Sequence, residues 1–285
     1  MIAAEAATTR SLRPGGAFLA SVFVLGLGLL YVGKPRLAIA TVATVYGVVA
    51  LFSWTRLIVS VPYGFWIAAG VMLLIIAVSS IGATVVAIRS PLAASNSYNR
   101  WFFYVLWILM VVAISLTAYR VRERAFGYGA YAVPSVSMSP TVEKGDYFIA
   151  DTWRYPAHQP TEGEIVLLEL ADGTGVQYLK RIVGLPGDRI EIRDRVLYRN
   201  GDPVAEPYIQ PLDGMHFYGR TFGSITVEPG KVFVLGDNRD NSMDSRAWGA
   251  IPINQLRGRA QFLWFSKSTN GVLWNRIGVR LSPEN

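Results

Sequence analysis

Three to four membrane helices followed by one mainly antiparallel β domain is the fold class that this sequence predicts, and three observations predict it. Hydrophobic residues make up 52% of the 285 positions, more than an average soluble domain carries, yet the C-terminal part is too charged for a pure membrane bundle. Long apolar runs fill residues 1–125; after Ala125 they give way to short β-branched and aromatic stretches punctuated by Gly and Pro. Charge divides at the same place. Ten of the 27 Lys and Arg, but only Glu5 and Glu123 of the 20 acidic residues, lie in residues 1–125, so the net charge of +7 belongs to the membrane-flanking part.

In the membrane part, apolar runs cover about 17–32, 37–61, 65–88 and 101–118, and a crossing helix needs roughly 20 such residues. The first run is short, contains Gly26 and Gly28, and ends in Gly33-Lys34-Pro35-Arg36. It reads either as a fourth, short crossing or as a re-entrant hairpin; no small-x-small site follows it, so it is not a secretory leader. Three crossings place Arg10, Arg13, Lys34, Arg36, Arg89 and Arg100 in the cytoplasm and the C-terminal domain outside, as the positive-inside rule asks. Four crossings move Arg10 and Arg13 outward and weaken that bias, so three is the favoured reading. Arg120, Arg122 and Arg124 fit neither scheme. Trp101, Phe102, Phe103, Tyr104 and Trp107 suit a headgroup-level aromatic belt. No Asp, Glu, Lys or His interrupts the centre of a run, which removes transport and proton relay and leaves an anchor.

Residues 126–285 form the β-rich part. Strands are predicted at YFIADT, EIVLLELA, VQYLKRIVG, DRIEIRD, VLYRNG, KVFVLGD and RAQFLWF, with tight turns at Ala171-Asp172-Gly173 and Asn200-Gly201-Asp202. The Gly- and Pro-rich stretch at about 189–230 reads as a smaller β extension. Because the basic excess lies beside apolar runs and not on this domain, nucleic-acid binding is excluded.

Composition then narrows the chemistry. With no Cys, thiol catalysis, disulfides and Cys-based metal sites are gone together. The two His, His158 and His216, sit in loop-like sequence and lack ligand spacing, which removes a His base and zinc hydrolysis. A serine hydroxyl needs a neighbouring base, and lysine remains. Lys180 stands among Val176, Tyr178, Leu179, Ile182 and Val183, where desolvation would disfavour its ammonium. A solvated strand lysine paired with an acid is the blander alternative. Ser135, Ser137 and Ser139 alternate, so an extended segment presents all three on one face and spacing does not choose the nucleophile, although Ser139, before Pro140, reads more as a turn residue.

Three segments carry a resemblance: PSVSMSPTVEKGD (Pro134 to Asp146), YLKRIVGLPGD (Tyr178 to Asp188) and GDNRDNSMDSRAWG (Gly236 to Gly249). In this order, after apolar spans, they resemble the motif boxes of bacterial type I signal peptidases, the membrane-bound Ser/Lys endopeptidases that cut signal peptides from exported preproteins. The resemblance implies Ser137 as nucleophile, Lys180 as general base, and an oxyanion hole from the Ser135 hydroxyl and the Ser137 N–H. It implies Ser242 as the residue that orients the lysine amine, and supporting ion pairs from Arg181, Asp237, Asp244 and Arg246. Arg239 and Asp240 are expected to satisfy themselves locally in a solvated loop.

Substrate is expected to add as a strand beside Tyr131, Val133 and Pro134, with Gln177, Tyr178 and Leu179 opposite and Val133, Met138, Val142 and Leu179 flooring apolar pockets. The resemblance implies preproteins with small residues before the cut, no cofactor, proximity to the export machinery, and an inner-membrane location with the catalytic domain on the outer side. Ala130-Tyr131-Ala132 itself resembles such a cut site, here expected to be protected as the docking strand. The competing readings are a maturation peptidase serving one pilus or conjugation substrate, and a catalytically silent scaffold.

Overall fold

A computed structural model describes residues 9–90, 92–94, 100–209 and 221–281; His216 lies outside them. The chain divides into two compact units, one of residues 1–57 and 64–126, the other of 58–63 and Gly127 onward.

The first unit opens with strand β1 (Thr9–Ser11), then α1 (Pro14–Phe23) and α2 (Leu27–Tyr31). Gly26, in the left-handed region at φ +76°, breaks the apolar run, so it forms two short helices in place of one. At Gly28 an added Cβ would lie 2.0 Å from the Ala17 carbonyl oxygen, so only glycine lets these helices touch. The indole N–H of Trp107 donates to the Leu25 carbonyl (2.9 Å) at the tip, and the Tyr31 hydroxyl accepts from the Arg13 N–H (3.1 Å) at the base. α3 (Pro35–Trp54) ends before Arg56, a non-glycine residue at φ +63°; α4 (Leu57–Ser60) is one turn, and α5 (Gly64–Arg89) follows. Strand β2 (Leu92–Ala94) pairs antiparallel with β1. α6 (Trp101–Ala125) runs on through Arg120, Arg122 and Arg124. α3, α5 and α6 are long and apolar enough to cross a membrane. Polar ties between them include the Tyr46 hydroxyl and Ser115 Oγ, 2.7 Å apart, Thr41 Oγ1 donating to Ser79 Oγ at 3.4 Å, and the Trp54 indole N–H donating to the Ala125 carbonyl at 3.4 Å.

The second unit is a curled antiparallel sheet with a smaller sheet inserted in it. The chain first lays down β3 (Tyr128–Ala132), β4 (Asp146–Asp151), β5 (Ile165–Glu169) and β6 (Gln177–Gly184). The inserted sheet is the extension: β7 (Arg189–Arg193), β8 (Val196–Arg199), β9 (Asp202–Pro203) and β10 (Phe222–Thr226), in the order β10-β7-β8-β9. Its two-residue hairpins take positive φ at both positions, Asp194-Arg195 (47° and 72°) and Asn200-Gly201 (56° and 98°), the geometry that matches strand twist. The chain then returns through β11 (Lys231–Leu235), β12 (Ile251–Pro252), β13 (Leu256–Ser268) and β14 (Gly271–Val272). The order across the main sheet is β12-β11-β6-β5-β13-β4-β3, with β14 on β13. The helical turn α7 (Arg154–Ala157) follows β4, and α8 (Ser245–Trp248) precedes β12. Every strand anticipated from alternation is present.

Register leaves two edges of the main sheet open. β11 meets β6 only from Arg181 to Gly184, so Gln177 to Lys180 pair with β5 alone. β3 pairs with β4 alone and is the other open edge. Beneath both lies one apolar cluster containing Val133, Met138, Val142, Phe148, Ile165 and Leu263, against which Tyr131 and Leu179 pack.

Candidate active site

Lys180 projects from the open stretch of β6 and is 2% exposed. Its Nζ lies 3.0 Å from Ser137 Oγ and donates also to the Leu179 carbonyl at 3.0 Å. Burial pushes its pKa down to about 8; Asp244 and Asp237 oppose that fall, and Arg246 adds to it. The burial expected from its apolar neighbours is therefore present, and the solvated-lysine alternative is not.

Alternation sends Arg181 to the opposite face of β6. There it forms a forked ion pair with Asp237 (2.8 and 2.6 Å) and donates to the Gly163 carbonyl (3.0 Å). Asp244, fully buried, takes Arg246 at 2.8 Å on each oxygen and accepts from the Gly236 N–H at 3.0 Å. Arg246 also donates to the carbonyls of Arg239 (2.7 Å) and Ser242 (3.2 Å), which fixes the shape of the loop.

The serine segment is not extended, contrary to the assumption that put three serines on one face. It turns after Val136: the Ser139 N–H donates to the Val136 carbonyl and the Val142 N–H to the Met138 carbonyl. Ser139 consequently leaves the face and donates to Glu143 (2.7 Å), while Ser135 Oγ stays 3.3 Å from Ser137 Oγ. Of the three serines, Ser137 is the one that the Lys180 amine reaches. Asn238 holds the segment from the other side, through its N–H to the Ser137 carbonyl and its side-chain amide to the Val136 carbonyl, both 3.1 Å.

Two further residues support this turn, Asp146 at the end of the first motif and Arg276. The fully buried Asp146 accepts from the Glu143 N–H (2.8 Å), from Ser266 Oγ (2.6 Å) and from both guanidinium arms of Arg276 (3.1 and 2.5 Å). Arg276 reaches on to the Thr141 carbonyl (3.1 Å). No motif marks Arg276, and only its pairing with Asp146 in the fold reveals it.

Ser242 departs from the expectation. Its Oγ is buried and makes no hydrogen bond, so the contact to the lysine amine that the resemblance implies is not made. The hydroxyl rests instead against Gly236, where an added Cβ would stand 2.2 Å from it and 2.5 Å from the Ser137 carbonyl oxygen. Arg239 and Asp240 also depart from the expectation of a self-contained solvated loop. Arg239 is 9% exposed and forks onto Glu206, 33 positions away, and Asp240 faces Arg195 at 3.6 Å. Met138 and Val142 are fully buried, so they back the site from within, while Tyr131, Tyr178 and Leu179 are half-buried and Pro134 and Gln177 exposed. His158 is exposed. Among the described residues no cluster of His, Asp or Glu is placed to hold a metal.

The family model of signal peptidase, peptidase S26, matches residues 101–265. A signal peptidase I of Bacillus licheniformis is 37% identical over 180 residues, 60% of this chain and 92% of the relative. A probable signal peptidase I-1 of Synechocystis sp. is 31% identical over 197 residues, 67% of this chain and 92% of the relative. Among solved structures, a signal peptidase I from Enterococcus faecalis is 32% identical, spans 35% of this chain and 96% of its own, and has a TM-score of 0.32.

Proposed function

The chain belongs to the signal peptidase family, peptidase S26, and from that premise we propose that Ser137 and Lys180 are the nucleophile and base with which this membrane-anchored serine peptidase removes signal peptides. The 3.0 Å contact between the two side chains carries the assignment. With the amine neutral, the contact reverses: Ser137 donates its proton to Nζ as Oγ attacks the scissile carbonyl. The ammonium then protonates the leaving amine, and a water that returns its proton to Lys180 releases the acyl group. Ser135 Oγ and the Ser137 N–H stabilise the oxyanion. The unpartnered Ser242 hydroxyl is free to orient the amine once the amine turns toward substrate.

Substrate enters as a strand between the open edges of β3 and of Gln177 to Leu179, with main-chain bonds on both sides and side chains over Tyr131, Val133, Pro134 and Leu179, which Met138 and Val142 support from behind. The substrates are preproteins with small residues before the cut, received in the neighbourhood of the export machinery. The test is cleavage of a panel of preproteins in membranes by wild type, Ser137→Ala and Lys180→Ala. Loss of at least about 10⁴-fold in both variants is expected; retained cutting by Lys180→Ala rejects the base, and processing of one substrate alone favours a dedicated maturation role.

The anchor crosses the inner membrane three times, and the first apolar run enters and leaves on the cytoplasmic side. Pairing of β1 with β2 supports this reading, because four crossings would separate those strands across the bilayer. The bond from Arg13 to Tyr31 supports it too, since both ends of the hairpin share one level. Arg120, Arg122 and Arg124 find a place in the same scheme. The 25 residues of α6 extend about 38 Å, beyond the roughly 30 Å hydrocarbon core, which lifts its last turn into the outer headgroups. Labelling of Gly15→Cys, at an exposed position with open space around it, from outside intact cells is expected to fail; success would overturn the hairpin.

A further inference from the structure

The extension touches the catalytic scaffold through Glu206-Pro207-Tyr208. Glu206, whose side chain is 7% exposed, takes the guanidinium of Arg239 on both oxygens and accepts the Tyr208 hydroxyl at 2.7 Å. The Tyr208 ring lies 3.9 Å beneath the Arg181 guanidinium, stacked on the face that the Asp237 pair leaves open. One tripeptide therefore grips two arginines that belong to two different parts of the site. Arg181 follows Lys180 on β6. Arg239 donates to the Gly236 carbonyl (3.2 Å) and directly follows Asn238, whose N–H holds the Ser137 carbonyl.

Resting on the assignment of Ser137 and Lys180, we propose that Glu206 and Tyr208 are positioning residues for the reaction, fixing the separation of the lysine strand from the loop that holds the nucleophile. The physical reason is that the ladder of β11 on β6 ends at Leu235 and Arg181, and beyond that pair no sheet bond joins the lysine strand to the loop. On the Lys180 side of Arg181, β6 has no ladder partner toward the loop. Side chains must hold the gap, and Arg181 to Asp237 is one such tie. Glu206 and Tyr208 supply the second, from outside the catalytic sheet, and neutralise a buried guanidinium in doing so. The β extension thus acts as a brace on the catalytic geometry.

The experiment uses the full-length protein in detergent–lipid micelles, with Glu206→Gln, Glu206→Asp, Tyr208→Leu and Tyr208→Phe, each assayed for preprotein cleavage across pH and for its melting curve. Glu206→Gln is expected to lower kcat by about 10–100-fold, the scale of a small misplacement of reacting groups, with KM within about twofold. It leaves the buried Arg239 without its counter-charge in the loop whose Asp237, Asp244 and Arg246 act on Lys180; the net positive charge added to that loop disfavours the ammonium, so the acid limb of the kcat profile moves to lower pH. Glu206→Asp, which keeps the charge, is expected to return the limb toward its wild-type place. Tyr208→Leu is expected to lose more kcat than Tyr208→Phe, because Phe keeps the ring under Arg181. A loss in proportion to the folded fraction, with the limb unmoved, would overturn the brace. Should Glu206→Gln fail to fold, equal kcat in the two Tyr208 variants and wild type overturns it instead. An inactive wild type would overturn the dyad reading and the brace together, whereas variants that match an active wild type overturn the brace alone.

Discussion

Lys180 and Ser137 meet at 3.0 Å but reach that point by different means. The lysine rides on a regular strand, and its place follows from a ladder in which Val166 lies opposite Lys180 and Leu235 opposite Arg181. The serine sits on an irregular turn with no ladder, and its place follows from isolated ties: the Asn238 N–H on its carbonyl and the Asn238 side chain on that of Val136, with Asp146 and Arg276 beneath the turn. Backbone pairing is redundant, since the loss of one side chain leaves the other hydrogen bonds in place. Side-chain staples are not redundant, and each removes a defined restraint when cut. The serine is accordingly the more easily misplaced half of the pair.

The sharpest way to break this contrast is Arg276→Leu, which frees the Thr141 carbonyl and leaves Asp146 with its charge only partly met. We expect kcat per folded molecule to fall at least about 100-fold, measured with the folded fraction from the melting curve; an unchanged kcat would mean that the turn holds itself. Second in size is the cost of keeping a base where water cannot reach. Lys180 has its folded pKa below the unfolded value, so the unfolded state binds the extra proton and stability rises between about pH 8 and the ordinary lysine range. Below pH 8 the penalty is present in full. Lys180→Met is therefore expected to melt higher at pH 7, by about 3 kcal/mol, with the gap closing as the pH climbs past the ordinary lysine pKa; a lower melting point at pH 7 would show that the amine stabilises its pocket.

Val166→Ala tests the other half. It trims a fully buried side chain opposite Lys180 and should cost about 2 kcal/mol of stability, yet kcat per folded molecule should stay within about threefold because the ladder remains. A collapse of kcat would place the lysine among the stapled residues. Smallest is the pH response of the wild type. A base with the proposed role of Lys180 acts when neutral, so on that proposal kcat/KM should climb about tenfold per unit below pH 8 and level off above it; a limb near pH 6 would point to another titrating group.

The same contrast explains what could be read in advance. Strands announce themselves by alternation, and the β domain was legible from segments such as DRIEIRD and KVFVLGD. Lys180 was legible because burial of a strand residue shows in its neighbours. The serines were legible in part: Pro140 marks Ser139 as a turn residue, but alternation leaves Ser135 and Ser137 alike, and nothing local shows the contact from Ser139 to Glu143 or the reach of the lysine to Ser137. The partner of Arg239 was not legible, because Glu206 lies 33 positions away in the Gly- and Pro-rich extension and nothing local pairs the two. Hydropathy alone reports that a run is apolar, not that it doubles back. Gly26 and Gly28 hinted at the bend, but the fold was needed to pair β1 with β2.

Gly236 joins the two halves, with one hydrogen facing both the Ser242 hydroxyl and the Ser137 carbonyl. Variation at this position has nowhere to go, as even a methyl group would press on the Ser137 carbonyl and the Ser242 hydroxyl. The rim at Pro134 and Gln177 is exposed and carries no such constraint. On the proposed reading, drift in accepted substrates is thus channelled to the rim, and the contact between Ser137 and Lys180 can outlast many changes of diet.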